Sequence, residues 1–302
     1  MSTIFSLIKA CRPIQWTKNL LVFASILFSF QFSKLIFLNS IYGFISFCLI
    51  SSAIYLFNDI RDISRDKLHP HKRFRPIARG ELSKSFATFC YLSFSFIGLC
   101  IAFSISKEFL FIISLYLIIQ IAYCIELKRK PILDIFCIAS GFLLRALSGV
   151  IATGVSFSPW FILTIALLAL FLAVEKRKAE LIVFKKTSIL TRDILKIYTL
   201  PLLLRYESLL VSGTFISYSL WAAGPSLNGA SSPWMLITLP FVLLGIFRYQ
   251  FISDPQVLET KKYKNKSITS ESPEKILIFD NFIRNVVILW LITVLLVGKI
   301  FY

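Results

Sequence analysis

Charge is what this sequence has least of. Asp, Glu, Lys and Arg make up 16% of its 302 residues, against about a quarter in an ordinary soluble domain. Apolar residues make up 57%, and the mean hydropathy is +0.76. Such values exclude a soluble globular protein and a disordered chain. They also exclude a nucleic-acid-binding domain, although 33 Lys and Arg against 16 Asp and Glu leave a net charge of +17. In a membrane protein that excess first marks the cytoplasmic side. The six cysteines (Cys11, Cys48, Cys90, Cys100, Cys124 and Cys137) form no CxxC pair and lie mostly in apolar runs. They read as small buried hydrophobes without a disulfide or metal role. A cleavable signal is not expected either. The polar stretch Arg12 to Asn19 precedes the first apolar block, and no small-residue cleavage site stands out after it.

What is present is a series of apolar blocks near the length of about 20 helical residues that crosses a bilayer. Nine candidate spans are expected, at 20–38, 40–58, 84–106, 108–126, 132–153, 159–175, 204–224, 233–251 and 282–301. The mixed stretch 178–203 reads as a partly helical cytoplasmic loop. The blocks are rich in Leu, Ile and Phe and do not alternate with period two, which favours helices over a barrel. Of the 33 basic residues, 29 fall on the side holding the N-terminus, three (Lys34, Lys107, Lys299) fall opposite, and Arg145 lies within a span. That asymmetry places the N-terminus in the cytoplasm and, after nine spans, the C-terminus outside. Acids contribute little to orientation, yet only Glu108 of the 16 lies on the outer side. A charged chemical face toward the cytoplasm accounts for them.

The end of the second span reads Tyr55-Leu56-Phe57-Asn58-Asp59-Ile60-Arg61-Asp62-Ile63-Ser64-Arg65-Asp66. At about 100° per helical residue, Asn58, Asp62 and Asp66 drift only about 40° per step, and Tyr55 and Asp59 fall in the same arc. Clustered carboxylates repel and are costly near apolar surface unless compensated. A divalent cation is the natural compensation, and oxygen-only ligands favour Mg2+ over zinc. Mg2+ usually takes one or two carboxylates plus substrate phosphates, so the cluster predicts a phosphorylated substrate. The next segment supplies Lys72, Arg73, Arg75 and Arg79 on a Pro-rigidified loop. A basic cytoplasmic loop more often sets topology or meets lipid headgroups; beside three carboxylates in register, phosphate binding is expected. His69 and His71 flank a proline and make a poor metal pair.

Further along, Tyr123 and Lys128 precede Pro131, which should open a helix. Asp134 and Arg145 then share a helical face to within about 20°. An arginine inside a span is functional by default. It either forms an internal ion pair or awaits an anionic substrate, and the second is expected. Glu175-Lys176-Arg177-Lys178-Ala179-Glu180 ends the sixth span, where a Lys176–Glu180 pair also fits a solvated helix face. The last connection, 252–281, is polar in its middle and reads as a mobile loop, with a lid role left open. Charged clusters on several helices at one membrane face argue for a shared cavity near the cytoplasmic interface. A channel would spread polar groups through its spans, and a transporter would usually show broken helices in two repeated halves. No internal repeat is evident.

These residues resemble the UbiA superfamily of membrane-embedded prenyl transferases, in Asn58-Asp59-x-x-Asp62-x-x-x-Asp66 followed by Arg75-Pro76-Ile77-Ala78-x-Gly80. Within it, the chain is similar to the subgroup of decaprenyl-phosphate phosphoribosyltransferases. The similarity runs from Arg12-Pro13-x-Gln15-Trp16-Thr17-Lys18-Asn19 through His69-Pro70-x-Lys72-Arg73, Tyr123, Leu127-Lys128 and Asp134. It continues with Gly141-Phe142-Leu143-x-Arg145-Ala146, Trp160-Phe161, Lys176-Arg177-x-Ala179-Glu180-Leu181, Tyr198-Thr199, Arg248-Tyr249 and Pro273-Glu274.

The resemblance implies a single all-α membrane domain over 1–302, a nine-helix bundle whose cavity faces the cytoplasm. It implies Mg2+ at Asn58, Asp62 and Asp66, with Asp59, Asp62 and Asp66 as the catalytic acids. Its substrate-binding set is Lys18, Tyr55, Lys72, Arg73, Arg75, Arg79, Tyr123, Lys128, Asp134, Arg145, Lys176 and Arg177. It also implies transfer of 5-phosphoribose from phosphoribosyl diphosphate (PRPP) to a polyprenyl phosphate in the inner (cytoplasmic) membrane, with oligomeric state open. The alternative is prenyl transfer from a polyprenyl diphosphate to an aromatic or isoprenoid acceptor. Members doing that commonly carry a second acid-rich DxxxD motif, where this chain has lysines and the single Asp134. Where the subgroup typically has Asp-Arg, this chain has Asp280-Asn281. A lipid-binding or transport protein is the non-enzyme alternative.

Overall fold

The computed structural model describes residues 3–29, 33–68, 72–154, 158–187, 193–254, 257, 276 and 280–301. Among them there are helices and turns and no strand. The α-helices are α1 (Thr3–Cys11), α2 (Ala24–Ser29), α3 (Lys34–Arg61), α4 (Ile63–Leu68), α5 (Lys84–Ile105), α6 (Lys107–Ile125), α7 (Leu133–Thr153), α8 (Pro159–Thr187), α9 (Leu200–Ala222), α10 (Leu239–Ser253) and α11 (Asn281–Phe301). Two longer 3-10 segments, Pro13–Phe23 and Pro233–Thr238, lead into α2 and α10.

Seven helical segments among the described residues are long and apolar enough to cross a membrane. They are Lys34–Arg61, Lys84–Ile105, Lys107–Ile125, Leu133–Thr153, Pro159–Lys185, Pro233–Ser253 and Asn281–Ile300. The expected span 20–38 is not one helix. Its start belongs to the 3-10 segment, which is pinned side-on to α3: Trp16 Nε1 donates to Ser52 Oγ at 3.1 Å, and Asn19 Nδ2 to Cys48 Sγ at 3.2 Å. The expected span 204–224 lies in α9, which carries Arg205 and Glu207 near its start and falls outside the seven. α8 runs to Thr187, well past the expected end at 175. Ion pairs Glu175–Lys178 and Arg177–Glu180, one turn apart, carry the helix through its charged stretch.

The chain divides into two compact units, one of Met1–Ile125 with Leu144–Val155 and one of Glu126–Leu143 with Ser156–Tyr302. In the first, α3 packs along α5, where Ser46 Oγ donates to the Gly98 carbonyl at 2.7 Å. Its core gathers Val22, Phe47, Ile50, Phe109, Ile113 and Tyr116. Ser33 and Ser83 cap α3 and α5, accepting from the N–H groups of Ile36 and Phe86. Ser106 is the whole connection between α5 and α6. Its N–H bonds back to the Ala102 carbonyl, and its hydroxyl accepts from the Phe109 N–H at 3.0 Å. Gly149 lies against the 3-10 segment, where a Cβ would sit 2.2 Å from the Val22 carbonyl oxygen. Gly149→Ala is therefore expected to destabilise the protein by about 1–3 kcal/mol. Thermal denaturation in detergent measures it, and wild-type stability would contradict this close approach.

The second unit has its own core, in which Ile135, Phe171, Leu181, Ile194, Leu195, Tyr198, Leu203 and Tyr249 meet. The Phe171 and Tyr249 rings pack edge to face at 5.5 Å. Trp290 Nε1 donates to Tyr218 Oη at 2.8 Å, tying α11 to α9. The cysteines are all free, and all but Cys100 are buried. Burial pushes the Cys11 thiol up to about 11, so it stays protonated at neutral pH.

Candidate active site

The first cluster is built on the end of α3. Asp62 adopts a turn conformation there, but its N–H still bonds to the Asn58 carbonyl at 2.9 Å, and the Asp66 N–H bonds to the Asp62 carbonyl at 2.8 Å. These two i to i−4 bonds bridge the turn between α3 and α4 and carry the backbone from Asn58 through Asp62 to Asp66. Asn58 and Asp62 are partly buried; Asp59 and Asp66 are 2% and 3% exposed.

Arginines meet the two buried carboxylates. Asp59 Oδ1 accepts from Arg12 Nη2 at 2.5 Å and from Arg75 Nη1 at 3.0 Å. The same Arg75 Nη1 reaches Asp66 Oδ2 at 2.7 Å. Burial pushes the Asp66 carboxyl above the usual carboxylate range, Arg75 pulls it down by charge and hydrogen bond, and Asp59 adds to the rise. Lys72 is partly buried and close enough to act on Asp66 electrostatically. Arg75 starts the turn that the sequence assigns to a Pro-rigidified loop. Arg79 N–H bonds to the Arg75 carbonyl, Glu81 N–H to that of Pro76, and Gly80 takes φ 79°. Arg79 forms an exposed pair with Glu81, of a kind worth little. Arg73 is exposed, with its guanidinium over the Phe74 ring. His69 and His71 lie outside the described residues.

Deeper in the same unit, Arg145 is buried. Its Nε donates to Asn19 Oδ1 at 2.7 Å, its Nη2 to Tyr116 Oη at 2.6 Å, and its guanidinium lies over the Tyr116 ring at 4.7 Å. Lys18 and Tyr55 also act electrostatically on Tyr116. Tyr123 packs partly buried against the core of this unit.

In the second unit Asp134 is fully buried and pairs with Arg177 Nε; its Oδ1 accepts from Tyr198 Oη at 2.7 Å. Arg177, with no exposed surface, also pairs with Glu180 at 2.5 Å. Tyr198 Oη in turn accepts from the Ile132 N–H at 2.8 Å. Burial, then the bond to Asp134, pushes the Tyr198 phenol upward, so it stays a neutral donor. Asp134 and Arg145, expected on one face of α7, therefore take separate sets of partners. Lys128 and Lys176 are partly buried. The stretch 175–180 is no solvated face, because Glu175, Arg177 and Lys178 are all buried.

Sequence reasoning missed two groups. Arg12 was read only as part of the N-terminal motif, and nothing local reveals its contact with Asp59, 47 residues away. Lys178, buried, contacts both Glu175 and Glu207 at 2.6 Å, and Gln250 Nε2 donates to Glu207 at 2.8 Å. An acid within an apolar span, Glu207, was the available signal. At the far end, Arg248 pairs with Asp280, which also caps α11 by accepting from the Ile283 N–H. The 252–281 loop lies almost entirely outside the described residues.

Among the described residues no three His, Cys, Asp or Glu side chains converge as a metal cage. Asn58, Asp62 and Asp66 instead offer an amide oxygen and two carboxylates in register. That sparse hard-oxygen set fits Mg2+, which takes few protein ligands and completes its shell with phosphates and water.

The UbiA prenyltransferase family model matches residues 20–266. The decaprenyl-phosphate phosphoribosyltransferase of Mycolicibacterium smegmatis is 32% identical over 304 residues, covering 96% of this chain and 92% of that protein. The decaprenyl-phosphate phosphoribosyltransferase of Corynebacterium glutamicum is 37% identical over 256 residues, covering 80% and 75%. A solved UbiA homolog from Archaeoglobus fulgidus, bound to GPP and Mg2+, superposes with a TM-score of 0.72 at 19% identity, covering 97% of this chain and 99% of that one. A match over most of the sequence and a shared helical fold lead to one assignment: the chain belongs to the UbiA prenyltransferase family.

Proposed function

We propose that this protein is an integral-membrane phosphoribosyltransferase that moves 5-phosphoribose from PRPP to a polyprenyl phosphate, releasing pyrophosphate, with Mg2+. The observation that carries this reading is local. One helix end joins a hard-oxygen donor set, Asn58, Asp62 and Asp66, to guanidinium groups that are only partly buried. Such a surface suits a polyanionic, metal-bound donor. The 32% and 37% identity to proteins named for this activity supports it. We read the chain as one membrane domain of nine crossings, N-terminus cytoplasmic, C-terminus outside, with the site facing the cytoplasm. The basic asymmetry of the sequence supports that orientation.

In the proposed reaction a phosphate oxygen of the lipid attacks the anomeric carbon, and the bond from that carbon to the pyrophosphate oxygen breaks. Asn58, Asp62 and Asp66 would hold the metal. When bound, Mg2+ supplies stabilisation of the charge that develops on the leaving pyrophosphate. Lys72, Arg73, Arg75 and Arg79 surround the same phosphates with charge-assisted donors. An already ionised lipid phosphate is its own nucleophile, so no general base is assigned. Lys18, Arg145 and Tyr55 provide cationic and hydroxyl contacts for anionic substrate within the first unit. In the second, Lys128 and Lys176 are the substrate-binding cations, while Arg177, implied by the family resemblance as a third, is without exposed surface and braces Asp134 and Glu180 instead.

Purified protein given labelled PRPP, Mg2+ and short polyprenyl phosphates should yield lipid-soluble phosphoribose. Its absence across several lipids overturns the reading. Consumption of a prenyl diphosphate in its place would establish prenyl transfer, and saturable lipid binding with intact substrates would establish a lipid-binding protein.

A further inference from the structure

Arg12 has no role in the function proposed above, yet its placement is unusual. It sits in the left-handed region, φ 55° and ψ 64°, at the break between α1 and the 3-10 segment. A non-glycine residue held there stores strain that surrounding contacts must offset. Its Nη2 lies 2.5 Å from Asp59 Oδ1, and its guanidinium stacks 4.8 Å above the Tyr55 ring. Arg75 reaches the same Asp59 oxygen from the opposite side in sequence. One buried carboxylate oxygen thus holds two guanidinium groups together, and their side chains keep 30% and 24% of their surface exposed. A guanidinium carries five N–H donors, so each of the two has further donors to give beyond these carboxylates. Arg75 also stands on Asp66, where a metal ion drawing on that carboxylate meets a resident cation.

We propose that Asp59, implied by the family resemblance as a catalytic acid, is instead a positioning residue that presents Arg12 and Arg75 as a paired clamp for the phosphate groups of the donor, and that Arg75 exchanges Asp66 for a donor phosphate as the metal takes Asp66. This rests on the PRPP reading above. Two consequences follow from charge alone. Metal without donor binds against the Arg75 guanidinium, by displacing it or beside it, so its affinity is held down. Metal and donor together give Asp66 a cation and Arg75 an anion, so each raises the affinity of the other. Asp59 keeps Arg75 in reach throughout.

Two binding measurements and one kinetic measurement on the detergent-purified full chain test this. Mn2+ is titrated alone by electron paramagnetic resonance, and labelled PRPP is titrated with Mn2+ by equilibrium dialysis. Wild-type protein that neither binds nor transfers PRPP ends the functional reading itself. With wild type competent, Arg12→Gln should leave Mn2+ affinity unchanged and weaken PRPP on the order of tenfold. Wild-type PRPP affinity in that variant overturns the clamp. Arg75→Gln should weaken PRPP but tighten Mn2+ alone by about fivefold or more. Unchanged or weaker Mn2+ binding there overturns the exchange. Asp59→Asn should raise KM for PRPP on the order of tenfold with little change in kcat; an unchanged KM removes its positioning role. If Arg12→Gln fails to fold, Arg12→Lys decides. It keeps the charge without the fork and should bind PRPP at an intermediate affinity, and wild-type affinity overturns the clamp.

Discussion

Asp62→Asn should abolish turnover and leave a folded, extractable protein. The backbone bonds that run through this residue, to Asn58 behind it and from Asp66 ahead, do not involve its side chain. Asparagine has the same shape, so the end of α3 keeps its register. What is lost is one of the two carboxylates that, with Asn58, make up the proposed Mg2+ set. A metal that stabilises a leaving group contributes several kcal/mol to the transition state, and each 1.36 kcal/mol is tenfold in rate. Transfer of labelled phosphoribose should therefore fall on the order of a thousandfold or more. Gel filtration and thermal denaturation of the variant establish that it is folded. Near wild-type transfer by the folded variant would remove the metal role from this residue.

Arg177→Met destabilises the protein by about 3–5 kcal/mol. Arg177 and Asp134 are both without exposed surface, and Arg177 serves Glu180 as well. A methionine fills much of the volume but strands the buried Asp134 carboxylate beside the Tyr198 hydroxyl without its cation. Arg177→Lys should recover part of the loss, since one ammonium cannot reproduce a fork that meets two carboxylates. Thermal denaturation in detergent reads the effect. A different pattern, wild-type stability with a raised KM for PRPP, would mean that Arg177 acts on substrate and that its sealed pairing is not what holds α7 to α8.

The hydrogen-bond path from Asn58 to Asp66 was legible because it depends on local spacing, although the helix itself breaks at Asp62 into α3 and α4. Asn58, Asp62 and Asp66 are four apart, and the hydrogen-bond ladder continues through the turn at Asp62. The turn in the basic loop was legible because Pro76 and Gly80 mark it among the arginines. Hydropathy counts apolar residues without sensing how the backbone winds, so 20–38 read as a span although its start is a 3-10 segment held by Trp16 and Asn19. Arg12 escaped because its partner lies on another helix and its backbone conformation has no sequence signature. The pairing of Lys178 with Glu207 escaped for the same reason, since Lys178 looks like one more cation in a charged stretch and Glu207 like a stray acid in an apolar run. Arg145 was correctly singled out as a cation inside a span, but its partners Asn19 and Tyr116 come from two other segments.

The connection between α5 and α6 bears on how the orientation of this protein can be mapped. Ser106 closes α5 with its N–H and opens α6 with its hydroxyl, so a single residue terminates one helix and initiates the next. A reporter domain or epitope inserted there separates those two bonds and unravels the hairpin whose side it is meant to report. The neighbouring Lys107 and Glu108 are exposed. Their side chains can carry a small chemical label by point substitution, with both bonds of Ser106 left in place.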